Sequence, residues 1–181
     1  MTVRDLLSRP DSVTGLDRVG DPLRDRIAGL LDRHPVVAGL LRGSWLGHPV
    51  HPALVTLPVG SWTAAVVLDL TLRDHRAARR LIGVGIAAFP VAAVTGWADW
   101  AARGDRDRRA GLVHAGANVV AAGAMLRSFR LRRNSAGLRA QAWSGLGLAV
   151  ATASAALGGH IAYSVAPEGD TDADSSVLVS P

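Results

Sequence analysis

Four stretches of this chain carry no charged side chain: Pro52–Leu68, Leu81–Ala98, Ala110–Leu126 and Ala140–Pro167, each 17 residues or longer. Wound as α-helix at about 1.5 Å per residue, each reaches or nearly reaches across a hydrocarbon core of about 30 Å. A helix buried in a water-soluble domain is shorter and shows a polar stripe, which these runs lack. Hydrophobic residues make up 49% of the 181 residues and charged ones 19%, so too few polar groups remain to wrap four such helices in water. The fold class expected is therefore all-α: a four-helix transmembrane bundle, up-down-up-down, preceded by an N-terminal amphipathic helix.

The charges between the runs agree with that reading. Every basic residue is arginine, and they cluster at Arg73–Arg80, Arg103–Arg109 and Arg127–Arg139, where headgroup phosphates would meet them. No aromatic-interleaved basic surface is left for DNA or RNA, so the partner expected is the lipid bilayer and nucleic acid is set aside. Trp45, Trp97, Trp100 and Tyr163 flank one face of the membrane and Phe129 and Trp143 the other, as amphipathic rings prefer. Trp62 lies inside the first run. Pro58 and Pro90 are expected to kink the first two helices. The loops after the first and third runs hold more arginines than the opposite face, which favours that opposite face outside. No cleaved signal peptide is visible, and a multi-pass protein of the bacterial plasma membrane is expected.

The chain divides into an N-terminal polar and amphipathic segment (1–46), the bundle (47–165) and an acidic tail (166–181) whose composition is that of a disordered segment. Asp21-Pro22 supplies an N-cap and a first-turn proline for a short helix, with Leu23, Ile27, Leu30 and Leu31 on one stripe. That stripe suits either the membrane surface or the outside of the bundle. Cysteine is absent, so a metal would rest on His and carboxylate.

Threading the membrane four times brings one end of each run to a common face. His48 and His51 open the first helix, Asp99 closes the second, His114 begins the third with Asn118 one turn deeper, and His160 lies near the end of the fourth. Ionisable groups at that depth cost free energy unless they pair, ligate or line water. Two imidazoles on different helices suit bis-histidine haem ligation, and His114 with His160 match in depth. The candidate cofactor-binding residues are His51, His114, His160 and Asn118. The competing site, for a Zn, Fe or Cu ion, would use His48, His51, Asp99, His114 and His160. A proton relay is a third use. The bland alternative has His51 capping its helix, His114 bonded to Asn118 or Asp99 and His160 at the headgroups. His34 and His75 read as solvated, and Asp69 as neutralised by Arg73 four residues on.

The stretches GHPVHPALVTLPVG (Gly47–Gly60), GWADW (Gly96–Trp100), HAGAN (His114–Asn118) and GGHIAY (Gly158–Tyr163) resemble bacterial membrane proteins grouped as domain of unknown function 2231. The resemblance covers Gly43 to about Tyr163 and implies a four-helix integral membrane domain. Some relatives carry a Rieske-type iron–sulfur domain after the last helix, which implies electron transfer; this chain ends instead in a cysteine-free acidic tail, so its redox partner would be a separate Rieske-type or cytochrome protein. The leading expectation is a small membrane protein holding haem b or a transition metal ion and taking part in electron transfer. The alternative is a structural or assembly subunit of a membrane complex without cofactor, packing through Gly/Ala-rich faces against a partner or a second copy. A transporter ranks third, and no Ser–His–Asp set or phosphate loop points to a particular enzyme class.

Overall fold

The computed structural model describes residue 5, residues 8–133 and residues 137–163. The acidic tail lies outside them. Two 3-10 turns, Arg9–Ser12 and Thr14–Leu16, lead into α1 (Asp17–Arg33) and α2 (Pro35–Arg42), followed by a short α3 (His51–Leu54), α4 (Thr56–Thr71), α5 (His75–Trp100), α6 (Asp105–Leu131) and α7 (Leu138–Tyr163). No strand occurs among the described residues.

Local chemistry sets the boundaries. Helix α2 starts on Pro35 and stops at Gly43, which takes φ +76°; a Cβ there would lie 2.3 Å from the His48 carbonyl oxygen, so only glycine fits. Pro58 has no N–H for the carbonyl of Leu54, and the break between α3 and α4 falls at Val55, one residue beyond that carbonyl. Asp74 caps α5 by accepting from the Ala77 N–H at 3.0 Å. Asp105 and Asp107 occupy the first turn of α6, where the helix dipole favours anions.

Helices α4 to α7 pack antiparallel as two hairpins, α4 with α5 and α6 with α7, joined by contacts of α5 with α6 and of α4 with α7. The shared core is small-residue packing around a few large side chains: Trp62, Ala65, Ala78, Ile82, Ala121, Met125 and Ala151. Gly147 lets α7 approach α6 so closely that a Cβ would stand 3.1 Å from the Ala121 carbonyl oxygen. Trp62, 2% exposed, lies across Gly85 with its indole N–H unpartnered and stacks on Phe89 at 6.3 Å.

Three helical stretches are long and apolar enough to cross a membrane: His51–Thr71, His75–Trp100 and Leu138–Ala162. Helix α6 is as long but less apolar, because charged residues occupy both ends and His114 and Asn118 interrupt its middle.

The N-terminal helix begins at Asp17, one turn before the expected Asp21, and Pro22 sits inside it. Part of its stripe packs on the bundle: Leu31 is buried with Ala38 and Ala98, and Ile27 and Leu41 pack around them, while Leu30 is exposed. Arginines of α6 fix this arrangement. Arg109 grips the Asp17 carboxylate with two hydrogen bonds, at 2.7 and 2.6 Å, and donates to the Asp11 carbonyl at 2.9 Å. Arg108 reaches Asp21 and Asp105, both at 2.9 Å.

Candidate cofactor site

The turn α3 carries His51 against α5. Its Nδ1 lies 2.8 Å from the carbonyl oxygen of Ala92, and its ring covers Gly96, where a Cβ would approach the imidazole to 2.8 Å. Helix α6 repeats this with α7. His114 Nδ1 lies 2.8 Å from the carbonyl oxygen of Ser154, and its ring covers Gly158, again with 2.8 Å left for a Cβ. Each hairpin thus holds one imidazole by a backbone carbonyl on its second helix and by a glycine four residues further on. A hydroxyl stands beside each ring nitrogen: Thr95 Oγ1 at 3.4 Å from His51 Nδ1 and Ser154 Oγ at 3.0 Å from His114 Nδ1.

A carbonyl oxygen can only accept, so Nδ1 carries the proton in both rings and Nε2 is the basic nitrogen. This carbonyl-anchored tautomer is the one in which metal-bound histidines are commonly held. Nε2 of His114 accepts from the Asn118 amide at 2.9 Å.

The remaining candidates have other neighbours. His48 is exposed, with Nδ1 3.1 Å from the carbonyl of Pro49. Asp99 is half-buried on the last turn of α5, with Arg103 and Arg42 as its charged neighbours. His160 Nε2 stands 3.8 Å from Asp11 Oδ2 and so faces the N-terminal turns. Among the described residues, no three His, Asp or Glu side chains gather closely enough to share a metal ion.

At the opposite end of the bundle a second polar cluster appears, and it corrects two expectations. Asp69 pairs with Arg132, the residue that follows α6, rather than with Arg73: one Arg132–Asp69 contact is 2.9 Å and a second closes the bidentate pair. Arg73 follows the end of α4 in a left-handed conformation, φ +51°, so the four-residue spacing that would align it with Asp69 on a helix is lost. His75, expected to be solvated, sits with Nδ1 2.9 Å from Asp69 Oδ1. Ser128 and Ser144 complete the cluster, accepting from Arg132 at 3.1 Å each. Only the run of charges around Arg132 marked it in the sequence, and nothing local tied it to Asp69.

Residues 47–166 match the family described as predicted membrane protein, DUF2231. The chain belongs to that family. With three helical stretches apolar enough to cross a bilayer, this DUF2231 member is a membrane protein in contact with lipid. No curated protein and no solved structure matches it. The DUF2231 region contains both hairpins and the His51–His114 arrangement, whereas Asp11, Asp17 and Asp21, which clasp the bundle, precede it.

Proposed function

We propose that this protein crosses the bacterial plasma membrane four times and binds haem between its two hairpins, with His51 and His114 as the iron ligands, for electron transfer with a separate redox protein. One observation carries the reading: each hairpin presents one imidazole with its Nδ1–H tied to a carbonyl and its ring laid on a glycine. Two neutral imidazoles suffice for haem iron, whereas an ion site built from protein groups alone asks for three or four. Haem is thus favoured over a Zn or Cu centre, given the absence of a three-ligand cluster among the described residues.

The roles follow from the contacts. The carbonyls of Ala92 and Ser154 hold the tautomer and increase the basicity of Nε2. Gly96 and Gly158 leave room for the rings against α5 and α7. Asn118 occupies Nε2 of His114 and has to release it before that nitrogen can ligate. Haem, when bound, supplies a one-electron couple inside the membrane. A fourth crossing by α6 is supported by its 17 uncharged residues from Ala110 to Leu126 and its antiparallel place between α5 and α7.

Absorbance of the detergent-purified protein, expressed with haem available, tests the reading. A Soret band is expected, lost in His51→Ala and in His114→Ala and retained in His48→Ala and His160→Ala. Purified protein that stays free of haem under those conditions overturns it and favours the cofactor-free assembly subunit.

A further inference from the structure

An apolar groove of about 460 Å³ runs between α1, α2 and the end of α5, bounded by Leu23, Ile27, Leu30, Leu41, Val94 and Trp97. Its rim is open where Leu30 is 58% and Val94 51% exposed. Val94 belongs to a helix apolar enough to span the bilayer, so the groove is continuous with surface that faces lipid. The other side of the rim is cationic. Arg26 and Arg33 lie about one turn before and after Leu30, on the flank of α1 turned away from Ile27 and Leu31. Both are exposed and form no ion pair among the described residues. The nearest acids on the same helix, Asp25 and Asp32, lie about 100° around the helix from the two arginines and face away from the groove by the same periodicity, and Asp25 pairs with Arg24.

We propose that this groove seats an acyl chain of an anionic phospholipid whose phosphate rests against Arg26 and Arg33. Hydrocarbon on one side, unpaired cations on the other and an opening onto the lipid-facing surface match a molecule with one anionic end and a long apolar tail. A second copy of this chain would have to place an acidic group beside the arginines while its apolar surface filled a groove that bilayer lipid reaches first.

Native mass spectrometry of the full chain, purified with added phosphatidylglycerol or phosphatidylcholine, tests this. Each arginine near an anionic headgroup gives roughly a fivefold preference, so the wild type should retain phosphatidylglycerol at least fivefold more than phosphatidylcholine. Arg26→Gln combined with Arg33→Gln changes only exposed side chains and should bring the two lipids to parity. Ile27→Trp, which fills the groove, should lose both lipids with helical content unchanged. Equal retention of the two lipids by the wild type, or a preference that survives the double arginine replacement, overturns the proposal. A detergent-stable dimer that Ile27→Trp dissociates also overturns it and gives the groove to a second copy.

Discussion

Glycines 96 and 158 make the candidate site sensitive to a single carbon atom. In a helix interior, Gly→Ala ordinarily stabilises by up to about 1 kcal/mol, because alanine has less backbone freedom to lose. At Gly159 and Gly60 an added methyl would meet nothing within 4 Å, whereas at Gly158 and Gly96 it would meet an imidazole at 2.8 Å. Substituting neighbours should therefore give opposite signs. Gly159→Ala and Gly60→Ala are expected to raise the thermal midpoint in detergent. Gly158→Ala and Gly96→Ala are expected to lower it and to weaken any Soret band, since the ring must leave its carbonyl. Equal effects at 158 and 159 would mean that the imidazole packing is not tight. The sequence made His51 and His114 legible as polar groups at the mouths of apolar runs. Their anchors were not legible, because a backbone carbonyl has no residue signature and glycine in an Ala-rich helix reads as ordinary close packing.

At the scale of elements, the charge-free runs located α4 to α7, and α5 and α6 run past theirs into the flanking charges by a turn or more. The partner of Asp69 was hidden for a geometric reason. The spacing rule sees neighbours on one helix, and Arg132 arrives from α6 only after two hairpins have packed. That pair joins the first and third long helices at the end away from His51, with side chains 2% and 1% exposed. Removing one partner of such a pair leaves a buried charge and costs about 3–5 kcal/mol, whereas replacing both with apolar groups of similar size is often neutral or stabilising. Asp69→Leu and Arg132→Met are each expected to lower the unfolding midpoint strongly, and the double variant to recover most of the loss. The serines keep carbonyl acceptors in that variant, Ala140 for Ser128 and Gln141 for Ser144, and His75, with its side chain 31% exposed, can be hydrated. A double variant as unstable as the sum of the singles would refute this account. The fourth crossing is also tested at this scale. The chain lacks cysteine, so single cysteines report cleanly: Arg73→Cys and Arg133→Cys should react with an impermeant maleimide from the same side of the membrane, and Ala102→Cys from the other. Labelling of Ala102→Cys and Arg133→Cys from one side would remove α6 from the membrane-spanning set.

For the whole molecule, the N-terminal helices close one end of the bundle through ion pairs that acid can undo. The hydrogen bonds from Arg109 hold the Asp17 carboxyl below its ordinary range, with the charges of Arg109 and Arg108 acting in the same direction. A carboxylate whose pKa is depressed by folding contributes stability fully above its unfolded value, about 3.9, and loses it as pH falls through the lower folded value. Arginine stays charged throughout, so protonation of the acid alone opens the clasp. The bundle interior does not depend on Asp17: the hairpins are joined by apolar packing around Trp62, Ile82 and Met125 and by the Asp69–Arg132 pair, whose carboxylate is buried and held by two hydrogen bonds from the guanidinium. Acid should therefore loosen α1 before it unfolds α4 to α7. A fluorophore on a cysteine introduced as Asp25→Cys, at an exposed position of α1, is expected to keep constant anisotropy from pH 7 to about 4 and to become mobile only as pH falls below that ordinary carboxylate range, with helical content largely retained. Asp17→Asn removes the anionic partner and should give that mobility already at neutral pH. If the probe and the helical signal change together in the wild type, the N-terminal segment is part of one cooperative unit with the bundle, and the clasp has no separate role.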